Sequence, residues 1–150
     1  MSEKSVNQPR IGVGVFVIRE GKFLVGQRKG AHGAGSWSVP GGWLEYQETF
    51  EDASAREIDE ETGMKIKNIG FVALTNNIFV NEDIHSLTVW MTADWDSGEP
   101  SIKEPHKFVD QQWVDFDTLP APLFLPWDSL LVSEFMPEIK RRLAVSKTRG

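Results

Sequence analysis

The chain contains no cysteine. That absence excludes disulfide staples, thiolate metal centres and cysteine nucleophiles, and it fits a reducing compartment. Positive charge is also in short supply, since 16 Lys and Arg against 22 Asp and Glu leave a net charge of -6. Such a balance disfavours non-specific binding to a nucleic acid polymer but leaves room for a small anionic ligand met through metal ions. Long hydrophobic runs are missing too. The longest, Ile11 to Ile18, is interrupted by glycines and is too short to span a bilayer. The opening "MSEKSVNQPR" lacks the apolar region of a secretory leader. A soluble cytoplasmic protein with no membrane partner is expected. Tyrosine occurs once, at 46, and no proline lies between 41 and 99. At 150 residues there is enough apolar content for one core and no room for two sizeable ones.

Residues 1–9 are polar and end in Pro9, which predicts a flexible lead-in before a domain over 10–143, with a basic tail over 144–150. "RIGVGVFVIRE" and "GKFLVGQRK" read as two strands joined across Glu20 and Gly21. The next stretch, "GAHGAGSWSVPGGW", holds five glycines and a proline, so it predicts a loop with a short extended piece at Trp37 to Val39. From Thr49 to Thr62 there is neither Gly nor Pro, and Ala, Glu and Arg favour a helix. Thr49 with Asp52 resembles a capping box, and Gly63 suits the left-handed residue after a helix. Strands are expected at 69–74, at 78–80, in "HSLTVWMTADW" and in "QQWVDF". A terminal helix, "PWDSLLVSEFMPEIKRRL", is expected to be interrupted or kinked near Pro137. Strands with a central and a terminal helix make a mixed α/β domain in which helices cover a sheet.

The segment "REIDEETG" concentrates the chemistry. Helical residues advance by about 100° each, so Glu57 and Glu61 lie roughly 40° apart with Glu60 about 60° to the other side of Glu57. Like charges so gathered repel unless a cation sits among them, and a hard divalent cation such as Mg²⁺ or Mn²⁺ suits carboxylate oxygens. Phe50, Ala53, Ala55 and Ile58 are expected to bury beside this arc. The competing reading is a solvated helix on which Arg56 pairs with Asp52 and Glu60. The preceding "SVPGGWLE" favours the site, because Gly41 and Gly42 allow the backbone to approach a ligand closely and offer it a carbonyl or an amide.

From Gly42 the chain reads Gly, five residues, Glu48, seven residues, then Arg56, Glu57, Ile58, any residue, Glu60, Glu61, any residue, Gly63 and Met64. This resembles the Nudix box, G-x5-E-x7-R-E-U-x-E-E-x-G-U with U aliphatic, at every specified position. The flanks "GVGVFVI", "RKGAHGAGSWSVPGG", "TNNIF" and "WVDFDTLPAPLF" look most like the MutT-like, nucleoside triphosphate pyrophosphatase branch. The resemblance implies an α/β/α sandwich with a mixed sheet. It further implies Glu57 and Glu61 as chief metal ligands, Glu60 as an additional ligand and the Gly42 carbonyl as a completing one. Arg56 would orient the carboxylates and Glu48 would close the loop through a salt bridge or a metal-bound water. The implied reaction is hydrolysis of a nucleoside diphosphate linked to another group, with a Mg²⁺-activated water attacking phosphorus and Glu60 or Glu57 taking the proton.

Substrate choice in such enzymes lies outside the box. Relatives acting on ADP-ribose often carry a proline some way beyond it, and those acting on dinucleoside polyphosphates a tyrosine. This chain has Ile78 and Phe79 there, no proline between 41 and 99, and its one tyrosine at 46. A nucleoside or deoxynucleoside triphosphate, cleaved to monophosphate and pyrophosphate, is therefore expected. The alternatives are a nucleotide sugar or dinucleotide as substrate, or a nucleotide-sensing module without turnover. Arg28 is the candidate phosphate cation, while Lys29 is expected on the other face. Trp37, Phe79, Trp113 and Phe124 are candidates for a base slot, and Asn76 and Asn77 for reading a base edge. Trp43 departs from the His usual after the two glycines. Glu104 is a candidate extra ligand or base, and His106 reads as a solvated loop residue. A homodimer is a possible assembly for the branch, and the six Trp could feed its interface.

Overall fold

A computed structural model describes residues 8–149, so the lead-in expected over 1–9 lies mostly outside the described residues, as does Gly150. The first hairpin forms as the sequence suggests, with β1 over Arg10–Arg19 and β2 over Lys22–Arg28. Its turn places Glu20 and Gly21 at φ 52° and 79°, the left-handed pair that matches the twist of the flanking strands. A side chain at Gly21 would strike Lys147 of the terminal helix.

Alternation along β1 divides the core in two. Val13, Val15 and Val17 face one side with Ala53 and Ile58 of the central helix α1, Phe50–Thr62. Phe16 and Ile18 face the other, with Trp127 and Leu130 of α2, Pro126–Leu131, and with Ile139 and Leu143 of α3, Met136–Arg149. The sheet is thus sandwiched between helices. Besides β1 and β2 it contains β3 (Trp37–Ser38), β4 (Gly41–Trp43), β5 (Lys65–Phe79), β6 (Ile84–Ser97) and β7 (Phe108–Val114). The path runs β3-β2-β1-β6-β5, with β4 paired to β1 and β7 to β2. β1 and β6 are parallel and the other pairs antiparallel, so the sheet is mixed.

Three expectations need correction. The strands expected at 69–74 and 78–80 form one strand, β5, that absorbs its polar residues through register shifts and a left-handed Asn68 at φ 53°. Val80 belongs to the 3-10 turn Val80–Glu82 that follows. The terminal helix is interrupted near Pro137, as expected, between Leu131 and Met136. Ser133 closes α2 by donating to the Leu130 carbonyl and accepting from the Phe135 amide. Pro137 then sits in the first turn of α3, where its missing N–H costs nothing. The helix continues through 144–149, the segment expected to be a tail. Finally, Phe50 and Ala55 are exposed rather than buried, Phe50 because it opens the helix and Ala55 because it lies about 200° round the axis from Glu57. Among the described residues, no helix is long and apolar enough to cross a membrane.

Candidate active site

Thr49 caps α1 by accepting from the Asp52 amide at 3.0 Å, and Gly63 closes it at φ 79°. Between the caps the face turned to the sheet reads Ala53, Ser54, Glu57, Ile58, Glu61 and Thr62, two i, i+4 stripes side by side. Glu57 and Glu61 therefore occupy core positions and keep only 7% and 4% of their surface. The acids do not lie beside the buried face, as expected, but form part of it.

They abut the glycine corner of β4. β4 pairs with β1 through Gly12↔Trp43, Val13↔Gly42 and Gly14↔Gly41. A Cβ at Gly41 would overlap the Val13 carbonyl, and one at Gly42 would overlap the Glu57 carboxylate. The Gly41 amide donates to Glu61 Oε1 at 3.1 Å. Both glycines are thus required by close approach, one to a strand and one to a carboxylate.

Arg56 does not pair with Asp52. Its Nε and Nη2 donate to Glu48 at 2.6 and 2.9 Å, and Nη1 donates to Glu57 at 2.6 Å and to Glu60 at 3.3 Å. A further bond to the Trp43 carbonyl at 3.3 Å ties the guanidinium to β4. The paired Glu48 raises the Arg56 pKa further, and Arg56 in turn holds Glu48 below its ordinary range. The planar fork therefore locks the loop at Glu48 onto the helix and fixes one oxygen of Glu57. Of the two options for Glu48, the salt bridge is present.

Burial pushes the Glu61 carboxyl well above its ordinary range, and the Glu57 charge adds to this. Burial also raises Glu57, against the opposing pull of Arg56. Two buried carboxylates one helical turn apart, with Arg56 bonded to Glu57 and Glu60 but not to Glu61, make a donor set of hard oxygens short of positive charge, which fits a divalent cation. Among the described residues, no three acidic or histidine side chains are already gathered at metal-binding distances. Glu57 and Glu61 converge, while Glu60 is half exposed beside Arg56. Glu104, on the loop between β6 and β7, adds to the charges that raise Glu61. Its Oε1 is buried without a hydrogen bond, and Lys107 Nζ lies 3.6 Å away.

A cavity of about 860 Å³ runs from these carboxylates to an aromatic wall. Arg28, at the end of β2, lines it. The side chain lies over the Phe124 ring at 4.0 Å and donates to the His32 carbonyl and Ser38 Oγ at 3.0 and 3.3 Å. Burial lowers its pKa from the ordinary arginine value. Phe79 and Phe124 line the far end with ring centroids 5.4 Å apart. Lys29, expected on the other face, borders the cavity as well, because strand alternation ends with β2 at Arg28. His106 is exposed at the rim. Trp43 also lines the cavity, with the Arg10 guanidinium 3.9 Å above its ring.

Other candidates lie elsewhere. Trp37 is packed in the core and is not among the residues lining the cavity. Its backbone holds the wall instead: the Trp37 amide donates to the Pro122 carbonyl, and the Phe124 amide donates to the Trp37 carbonyl, each at 2.9 Å. Trp113 packs against the other core, beneath α1. Asn76 is exposed and bonded to His85 at 2.6 Å, since alternation along β5 turns it outward. Asn77 faces inward, where its Oδ1 accepts from Thr75 and from Thr88, a cavity residue, each at 3.0 Å. Sequence reasoning missed His32, Glu82 and Trp90. They come from a loop, a turn and a strand outside the box, and the fold sets His32 against Glu82 and puts His32 and Trp90 on the cavity wall.

A NUDIX domain model matches residues 8–135. The chain is 31% identical over 141 residues to the oxidized purine nucleoside triphosphate hydrolase of Danio rerio, covering 91% of this chain and 85% of that protein. It is 36% identical over 106 residues to the NAD-capped RNA hydrolase NudC of Photorhabdus laumondii, covering 71% of this chain but only 39% of that protein. The crystal structure of a MutT NUDIX hydrolase from Burkholderia pseudomallei superimposes with a TM-score of 0.73 at 35% identity, covering 77% of this chain and 90% of that one. With the box carboxylates intact and Glu57 and Glu61 buried against their glycine corner, the chain belongs to the Nudix family and is a Nudix hydrolase.

Proposed function

We propose that this protein is a Mg²⁺-dependent nucleotide pyrophosphohydrolase that cleaves a nucleoside or deoxynucleoside triphosphate to the monophosphate and pyrophosphate. The observation that carries this reading is the buried pair Glu57 and Glu61, pressed against Gly41 and Gly42 at one end of a cavity whose other end is aromatic. One end suits phosphates with their cations, and the other suits a base.

Glu57 and Glu61 would hold the cation, with Glu60, the Gly42 carbonyl and Glu104 as further donors; Mn²⁺ would serve in place of Mg²⁺. When bound, such an ion neutralises phosphate charge and makes a coordinated water more acidic. Arg56 keeps Glu57 oriented, and Glu48 keeps Arg56 in place. Arg28 supplies a cation toward phosphate from the opposite wall. In the reaction a bond forms between water oxygen and the α-phosphorus, and the bridging bond to the β-phosphate breaks. The water proton passes to a cavity carboxylate, Glu60 or Glu57, and from there to solvent. Phe79 and Phe124, whose rings touch, would form the wall against which the base packs.

The triphosphate reading draws support from the Danio rerio relative, whose match spans most of both chains. A second reading, hydrolysis of another nucleoside diphosphate derivative, draws support from NudC, of which this chain spans well under half. A panel of nucleoside triphosphates, nucleotide sugars and dinucleotides decides between them. Pyrophosphate released from the triphosphates at the highest kcat/KM supports the first reading. Orthophosphate release, or faster turnover of a dinucleotide or nucleotide sugar, overturns it.

A further inference from the structure

The pair His32 and Glu82 lies outside the Nudix box, and nothing in the reaction above uses it. Glu82 closes the 3-10 turn after β5 and reaches across to the glycine-rich loop between β2 and β3. One of its oxygens meets His32 Nδ1 at 2.6 Å, and the other accepts from the Gly33 amide at 3.2 Å. The loop is fastened beneath as well, since Arg28 Nε donates to the His32 carbonyl and the Ser36 amide donates to that of Gly33. Gly33 stands at φ 71° with Phe124 so close that a Cβ would meet its ring at 2.6 Å. The imidazole is therefore held at Nδ1 and against two rings, with its centroid 4.7 Å from Phe79 and 5.1 Å from Phe124. It forms part of the aromatic wall.

A carboxylate only accepts hydrogen bonds, so Glu82 places the ring proton on Nδ1. Nε2 has no protein partner among the described residues, and the ring lines the cavity. In the neutral ring Nε2 is a lone-pair acceptor, on a ring that shares its wall with Phe79 and Phe124. The hydroxyls of Thr75 and Thr88 both donate to Asn77 Oδ1. A hydrogen-bonding group so positioned discriminates between a ligand that satisfies it and one that does not.

We propose that His32, positioned by Glu82, is a specificity-determining residue that accepts a hydrogen bond from an exocyclic amino group of the nucleobase. The substrate class this selects is nucleotides of amino-bearing bases, over their oxo counterparts. The inference rests on the reading above that the base packs against this wall. Glu82 acts only through His32, as a positioning residue.

The test pairs ATP with ITP and CTP with UTP at pH about 8.5, reading kcat/KM for each. The same four bases are also followed as monophosphates, by equilibrium titration. Wild type is expected to favour ATP and CTP about tenfold, carried mainly by KM, and to bind AMP and CMP more tightly than IMP and UMP. His32→Phe keeps a ring in the wall and should bring both ratios close to one. Glu82→Ala should lower them in the same way, while Glu82→Gln, which retains an acceptor for Nδ1–H, should restore them. The proposal is overturned if the ratios are near one in wild type, if they persist in His32→Phe, or if the oxo bases are preferred, which would make Nε2 a donor. Failure of the function itself reads differently: no triphosphate is turned over, while the monophosphate ratios still report on His32.

Discussion

At the carboxylate end of the cavity, Gly41 through Glu61 supply the working residues from one continuous stretch, strand to loop to helix. At the aromatic end, His32, Phe79 and Phe124 come from segments far apart in the chain, joined by Glu82 and by the Trp37 backbone, and Arg28 stands between them and the carboxylates. The first end is local, held by one helix, one arginine fork and two glycines. The second depends on the register of β5 and on two loops meeting. Chemistry common to many substrates is thus set in contiguous sequence, and the choice among substrates in tertiary contacts that can change piecemeal.

The difference predicts unequal responses to substitution. Glu61→Gln should have the largest effect, lowering kcat on the order of a thousandfold while the protein remains folded, because a buried charge is replaced by a neutral isostere. Pyrophosphate release alongside a thermal melt checks both halves. Gly42→Ala should come next. Its Cβ would overlap the Glu57 carboxylate and displace it, costing about 10- to 100-fold in kcat, with the peptide-level fold retained by circular dichroism. At the other end, Phe79→Ala should raise KM about tenfold and leave kcat within about a factor of two, since a stacking surface is lost far from the reacting phosphorus. Equal losses in kcat at both ends would erase the distinction. The smallest effect is expected from Thr49→Ala, which removes the cap of α1. It should cost about 1 kcal/mol of stability, seen as a fall of about 2–4 °C in Tm, with KM unchanged.

What could be read in the sequence follows the same division. The caps Thr49 and Gly63, the hairpin turn and the three helical glutamates were legible because each is fixed by neighbours within a few residues. The burial of Glu57 and Glu61 was not. Helical spacing shows that they share an arc but not that the arc is the one facing the sheet. Asn76 and Asn77 were indistinguishable in sequence, and the shifted register of β5 decides that Asn77 points inward. Trp37 has the size and chemistry of a base platform, yet pairing with β2 turns it into the core. His32 carries no signal alone, because the partner that gives it meaning is fifty residues away.

The buried acids also set a dependence on pH. Folding raises the pKa of Glu57 and, more, of Glu61, through burial first. The folded protein then binds more protons than the unfolded chain from the ordinary carboxylate range upward. Metal-free stability should therefore fall as pH rises from about 4 through the raised values. A cation bound between the two carboxylates opposes that loss. The most direct measurement is the Tm at pH about 8 with and without Mg²⁺, in the absence of nucleotide, for wild type and for Glu57→Gln/Glu61→Gln. Wild type should gain stability with Mg²⁺, by about 2.7 kcal/mol at a hundred times Kd. The double variant should melt higher without metal and show no gain. An equal gain in both proteins, or none in wild type, would contradict a metal site at Glu57 and Glu61.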